Sequence, residues 1–387
     1  MRSIRDIRVF ANIPILVRAA LNVPIENGRV TNDYRLQRAA STIRFLAERG
    51  AKVILISHLG ELGTETLAPV AEALGNIVPN VSFFGETVGE RARAAVRDLP
   101  AGHVLVLENL RRNAGEKNND KDFARELAAL GDAFVEDSFD TCHRMHASIV
   151  GVPQFLPSYA GLLLEEEIRQ LTQALAPEHP ALAVIGGAKF GTKEAVLTSM
   201  LNSYDHVFVG GALANDFLKA AGHPVGQSLV SDGDDAEIKK LIANPRIVLP
   251  VDSYVVPKAA LDTPDAHGKA RIVPVQDVRD DEVICDHGPG TAALLSHLAH
   301  DAKSVLWNGP LGLYEKGFVD TTEELARAVA DSGAHSVVGG GDTIAAIEDL
   351  GLLPRFSFVS SGGGAMLDFL AKGTLPGIEA LDAHPSA

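Results

Sequence analysis

At 387 residues the chain is too long for one ordinary hydrophobic core, and about two domains are expected. Its 46% apolar and 22% charged residues exclude disorder as the default. A formal net charge of −15 argues against non-specific nucleic-acid binding but leaves room for a small anion held in a local basic pocket.

Strand-like and helix-like segments alternate from the start. Residues 13–17 read as a strand, 33–49 as a helix, and 52–57 as a buried strand that runs into His58-Leu59-Gly60. A helix over 67–74 follows, then strands at 81–84 and 103–107, a helix over 122–130 and a strand at 133–135. Such alternation predicts βαβ units and parallel sheets covered on both faces. Residues 162–175, rich in Leu and Glu, read as an amphipathic helix before Pro177 and Pro180, and the alternation begins afresh at Ala183. The domain boundary is placed on that helix, with a structured hinge rather than a low-complexity linker.

In the first half, cationic and amide residues follow the apolar runs: Arg18, Asn22, Arg35, His58, Arg111, Arg112, His143, Arg144 and His146. If those strand ends converge, an acidic protein has gathered its cations in one place, which suits phosphate or carboxylate recognition by arginine forks. The alternative is that single arginines serve as surface residues or as ion-pair partners of Glu108, Asp137 and Asp140. His143 and His146 are spaced to share a metal, but no zincin glutamate stands between them and Cys142 only adjoins them. Two cysteines, Cys142 and Cys285, make neither a disulfide framework nor a sulfur-rich metal site.

In the second half, strand ends meet glycines repeatedly. Val184-Ile185 leads into Gly186-Gly187-Ala188-Lys189, Phe208-Val209 into Gly210-Gly211, and Leu306-Trp307 into Asn308-Gly309-Pro310. Val337-Val338 leads into Gly339-Gly340-Gly341-Asp342-Thr343, and Phe358-Val359 into Ser360-Ser361-Gly362-Gly363-Gly364. Strand-to-helix glycine turns allow close backbone approach, and helix N-termini offer unpaired amides, so together they form a phosphate site at one sheet edge. Lys189 and Lys193 are predicted on one face of a helix opening after Gly186-Gly187. Neither a Walker A loop nor a dinucleotide fingerprint is present.

Taken together, these motifs resemble the phosphoglycerate kinase family over nearly the whole chain. The resemblance is carried by Leu21-Asn22-Val23-Pro24, Ser57-His58-Leu59-Gly60, Leu107-Glu108-Asn109-Leu110-Arg111 and His143-Arg144-Met145-His146-Ala147-Ser148. In the second half it is carried by Gly186-Gly187-Ala188-Lys189, Leu249-Pro250-Val251-Asp252, Trp307-Asn308-Gly309-Pro310, Gly339 to Thr343, and Gly362-Gly363-Gly364-Ala365.

The resemblance implies two doubly wound, Rossmann-like parallel-sheet domains joined by a hinge helix: residues 1–165 for the acidic substrate, a hinge region over 166–182, residues 183–364 for nucleotide, and a segment over 365–387 returning to the first domain. It implies that 3-phosphoglycerate or 1,3-bisphosphoglycerate binds Asn22, Arg35, His58, Leu59, Gly60, Arg111 and Arg144. MgATP or MgADP is expected on Lys193, Gly211, Asn308, Pro310, Glu315, Gly340, Gly341, Asp342 and Thr343, with Asp342 near the Mg2+. Arg35, Lys189, Gly363 and Gly364 are expected around the transferring phosphoryl group once the domains close. A cytoplasmic monomer that engages neither membrane nor nucleic acid completes the expectation.

Four positions depart from the family pattern: Ala20, Glu61, Arg112, and Thr192, which stands where an acidic or other polar residue is common. Ala20 stands where an aspartate is usual, and Glu61 where an arginine follows Gly60. Arg112 replaces an aromatic and is placed to restore the missing charge. These departures leave open a kinase of the same fold acting on another carboxylate or acyl phosphate, or a non-catalytic nucleotide-binding relative.

Overall fold

The computed structural model describes residues 1–231 and 235–382. The chain divides into two compact units, Met1–Arg169 together with the chain from Thr374 onward, and Gln170–Gly373. The division falls inside the helix Leu162–Leu175. Consequently the second unit begins at Gln170, ahead of residue 183, where the sequence places the start of the nucleotide domain. The returning segment, expected from residue 365, starts at Thr374, because Gly363–Lys372 is a helix held by the second unit: Ser199 Oγ donates to the Leu370 carbonyl at 2.8 Å. Residues 383–387 of that expected segment lie outside the described residues.

The first unit is built on a six-stranded parallel sheet. Its order is Val81–Phe84, Val104–Leu107, Lys52–Ile56, Pro14–Ala19, Ala133–Asp137 and Ser158–Ala160. The central strands are buried nearly throughout, which is why they read as continuous apolar runs rather than alternating ones. Tyr34–Ala47 and Ala68–Gly75 supply Leu36, Ile43, Leu46, Val70 and Leu74 to one core with the sheet residues Ile15, Val17, Val53 and Leu55. The helix Glu90–Asp98 has no counterpart in the sequence reading. Only Ala92 and Val96 of it are buried, and the rest of the helix is mostly charged, so it reads as polar surface.

The second unit holds another six-stranded parallel sheet. Its order is Ile247–Val248, His206–Val209, Ala181–Ile185, Ser304–Asn308, His335–Gly339 and Phe358–Val359. Chain order reverses between Ala181–Ile185 and Ser304–Asn308, the kind of crevice where open α/β sheets take their ligands. A three-stranded antiparallel sheet, Arg271–Pro274, Asp252–Pro257 and Glu282–His287, adds structure that the parallel-sheet reading did not anticipate. Among the described residues no helix is long and apolar enough to cross a membrane.

Candidate functional site

In the first unit the carboxyl ends of the central strands gather the cations. Arg18, fully buried near the end of Pro14–Ala19, donates from Nε to Ser148 Oγ (3.1 Å) and from Nη1 to the Ala19 carbonyl (2.9 Å). Its Nη2 lies 2.9 Å from His58 Nδ1. A guanidinium can only donate, so His58 Nδ1 accepts and the neutral ring carries its proton on Nε2. Burial, followed by the charges of Arg18, Arg111, Arg144 and Arg35, pushes the His58 imidazolium far below the ordinary histidine range, which agrees with that tautomer.

Three strand-end loops are stitched together around it. Asn22 Oδ1 accepts from the Gly60 amide (3.1 Å), and the Asn22 carbonyl accepts from Arg35 Nη1 (3.2 Å). Asn109 Oδ1 accepts from the Leu59 amide (3.2 Å) and the Arg111 amide (3.1 Å), while its Nδ2 donates to the Leu59 carbonyl at 2.8 Å. Arg111 donates from Nη1 to the Gly60 carbonyl, and that nitrogen lies 3.2 Å from Glu61 Oε2. Arg111 Nε and Nη2 and Arg144 Nε are buried with no partner among the described residues. A native fold usually satisfies such donors, and their convergence in one region points to an anionic ligand.

Other cations of the first half have structural partners. Arg35 also pairs with Asp140 at 3.0 Å. Arg112 pairs with Glu108 at 3.0 Å, so the charge expected to replace an arginine at position 61 is neutralised elsewhere. Asp137 Oδ1 accepts the Leu163 and Leu164 amides (3.0 and 3.2 Å), capping the helix Leu162–Leu175, and burial pushes its carboxyl up to about 7. Among the described residues no cluster of His, Cys, Asp and Glu is arranged to hold a metal, and His143 and His146 are no exception. Burial, with Arg144 and Arg18 next, lowers His146 to about 4.

Glu116 was missed because it lies in a polar run that reads as surface. It is wholly buried and accepts from the Ser148 amide (3.0 Å) and hydroxyl (2.6 Å), which ties it to Arg18 through Ser148.

The second unit presents a different surface. A cavity of about 510 Å3 is lined by Gly187, Thr192, Lys193, Asn308, Gly309, Pro310, Gly340, Gly341, Asp342, Gly363, Gly364, Leu367 and Asp368. It sits where the strand order reverses: the Gly186 amide donates to the Asn308 carbonyl at 2.8 Å, and a Cβ on Gly186 would come within 2.7 Å of the Gly309 carbonyl oxygen. The helices Gly341–Asp349 and Gly363–Lys372 both start at the cavity, the first after Gly340 at φ 102°. Their first-turn amides supply donors and partial positive charge to an anion. Lys193 Nζ donates to Asn308 Oδ1 at 3.3 Å, and burial lowers its ammonium to about 8.

The expected site residues therefore separate. Lys193, Asn308, Pro310, Gly340, Gly341, Asp342, Gly363 and Gly364 line this one cavity. Thr343 is buried behind it, with its hydroxyl unpartnered among the described residues. Gly211 packs against the Gly187 backbone, 2.9 Å from a notional Cβ, and its amide donates to His287 Nε2 at 3.0 Å rather than facing the cavity. Glu315 is exposed on the turn Tyr314–Lys316 and is not a lining residue.

Lys189 and Lys193 do not share a helical face as predicted. Phe190–Thr192 forms a 3-10 turn between them and the α-helix opens only at Glu194, so Lys189 instead borders a neighbouring cavity of about 380 Å3 with Leu229 and Ser231.

Comparison with known proteins closes the question of kinship. The sequence matches the family model described as phosphoglycerate kinase over residues 4–373. It is 45% identical over 383 residues to phosphoglycerate kinase of Azorhizobium caulinodans, covering 95% of this chain and 96% of that one. It is 43% identical over 397 residues to that of Xanthobacter flavus, covering 98% of both. Among solved structures, phosphoglycerate kinase from Coxiella burnetii superposes with a TM-score of 0.83 at 37% identity, covering 98% of each chain. The enzyme from Pyrococcus horikoshii gives 0.86 at 30% identity, with 99% of each chain covered. With matches that span both units, the chain belongs to the phosphoglycerate kinase family.

Proposed function

We propose that this chain catalyses reversible phosphoryl transfer between ATP and the carboxylate of 3-phosphoglycerate, yielding ADP and 1,3-bisphosphoglycerate. The observation that carries the reading is the family match over residues 4–373, joined to an arginine pocket in one unit and a glycine-walled cavity in the other. Phosphoryl transfer needs little covalent help from a protein. It needs in-line placement and neutralisation of charge spread over the transferring oxygens.

In this reading Asn22, Arg35, His58, Leu59, Gly60, Arg111 and Arg144 hold the acidic substrate, with His58 as a neutral donor and the arginines as charged forks. Lys193, Asn308, Pro310 and the amides of Gly340 to Thr343 hold the nucleotide phosphates, with Gly211 and Glu315 assigned to the same nucleotide from outside the cavity wall. Arg35, Lys189 and the Gly363 and Gly364 amides surround the moving phosphoryl group. An exposed carboxylate at the cavity, Asp342, suits Mg2+, which takes few protein ligands and arrives with phosphate oxygens; there the ion would neutralise phosphate charge. Because donor and acceptor are bound by different units, turnover includes a domain movement that excludes water. The enzyme acts as a cytoplasmic monomer, and its net charge of −15 favours no nucleic-acid partner.

Incubated with MgATP and 3-phosphoglycerate, the purified chain is expected to release ADP and an acyl phosphate that a coupled reduction detects. Absence of turnover above a Lys189→Ala control that still binds nucleotide would reject this substrate. The contact of Glu61 with Arg111 favours one second reading, a related small carboxylic acid as acceptor, which a panel of such acids in the same assay separates.

A further inference from the structure

The arginine pocket contains a carboxylate of its own. Glu61 Oε2 lies 3.2 Å from Arg111 Nη1 and 4.0 Å from Lys117 Nζ, and Lys117 Nζ also donates to the Glu61 carbonyl at 2.6 Å. Exposure is shared unequally across the pair: the Arg111 side chain is 1% exposed and that of Glu61 73%. The glutamate thus lies on the solvent side of a covered guanidinium.

Arg111 is only half used in this arrangement. Nη1 serves the Gly60 carbonyl and the Glu61 carboxylate, whereas Nε and Nη2 are buried without partners among the described residues. Those two nitrogens lie along one edge of the guanidinium, the edge that takes a carboxylate or phosphate in a fork. Both nitrogens of that edge are buried, and Glu61 holds the neighbouring Nη1 on its solvent side. Gly60 (φ 64°) and Gly63 (φ 75°) bracket Glu61 and Leu62; the Leu62 side chain is 83% exposed, and the bonds that hold the segment are polar ones, the Gly60 amide on Asn22 Oδ1 and Lys117 on the Glu61 carbonyl.

We propose that Glu61 is a surrogate anion: its carboxylate occupies Arg111 and keeps the guanidinium covered until the acidic group of the substrate displaces it. Glu61 then sets the affinity of the pocket more than the rate of the chemistry. The inference rests on reading this pocket as the seat of the acidic substrate. Glu61→Gln keeps the size of the side chain and removes its charge, so the substrate no longer competes with an internal anion.

The test combines kinetics with arginine chemistry on the full-length chain. In Glu61→Gln the KM for 3-phosphoglycerate is expected to fall about fivefold, the scale of a partly exposed ion pair, with kcat moving less than KM. Phenylglyoxal should modify Arg111 several-fold faster than in the parent, as followed by peptide mass spectrometry, and Glu61→Asp should restore slow labelling in part. An unchanged labelling rate at Arg111 overturns the covering role, and an unchanged KM overturns the affinity role. A parent chain without turnover on 3-phosphoglycerate, joined to faster labelling of Glu61→Gln, rejects the substrate while the covering role stands.

Discussion

The two units meet anions by different means. In the first, recognition is assembled from side chains: buried guanidiniums, one imidazole fixed as a neutral donor, and amides that lock the loops together. In the second, six of the thirteen residues lining the cavity are glycines, and two helix N-termini open into the same space. A side-chain site is altered by changing one charge, as the presence of Glu61 beside Arg111 illustrates. A backbone site is altered by adding atoms, because its donors belong to every residue and its access depends on having no Cβ in the way.

That contrast is open to being broken. The largest effect should come from Arg111→Met, which removes a buried charge from the first unit. Its KM for the acidic substrate is expected to rise about a hundredfold, while ADP affinity measured by calorimetry stays within about twofold, the range for losing a desolvated charged partner at one site only. Comparable losses of both ligands would mean that the two sites are not energetically separate.

Next in size is Gly186→Ala. The new methyl would press on the Pro310 and Gly309 carbonyls, both of them backbone and unable to swing aside. Overpacking of this kind costs about 1–3 kcal/mol, so a clear drop in Tm and a roughly tenfold loss of ADP affinity are expected, with anion binding in the first unit intact. A parental Tm in the Gly186→Ala variant would show that the crevice is softer than its contacts suggest.

The smallest effect concerns the one cation whose burial shifts it within the second cavity's wall. Burial lowers Lys193 to about 8, so above that pH the folded chain holds it neutral while the unfolded chain still protonates it up to its ordinary 10.5. In that window the unfolded state binds more protons, and stability therefore rises with pH. A phosphate ligand wants the charged form. ADP affinity is thus expected to weaken several-fold from about pH 7 to pH 9, with proton uptake on binding near the upper end, and Lys193→Gln should flatten the profile. A flat profile in the parent would place the phosphates away from Lys193.

Much of the architecture was legible because both central sheets are covered on each face, which writes their strands as unbroken apolar runs ending in glycine or polar turns. Arg111 and Arg144 stood out because they sit in the polar loops that follow such runs in a chain of net charge −15. What was not legible depends on three-dimensional company. Glu116 looks like surface until Ser148 and Arg18 are folded over it, and Arg112 looks available until Glu108 claims it. The geometry of Lys189 was lost for a local reason: Gly187, at φ 106°, and the short turn after it delay the helix by several residues. The antiparallel sheet around Asp252–Pro257 escaped because two of its strands are only partly buried, and the buried third, Glu282–His287, carries Glu, Asp and His in place of an apolar run.

The division of the chain also bears on the order in which a ribosome delivers it. Gln170–Gly373 is one uninterrupted stretch, whereas the other unit is written in two pieces separated by all of it. Thr374 onward includes Gly377, whose amide donates to the Cys142 carbonyl at 2.8 Å, one residue from His143-Arg144. Domains usually fold as units while synthesis proceeds. A released chain truncated just short of Thr374 keeps the whole glycine-walled half and should still hold ADP, while its arginine pocket lacks that final clasp.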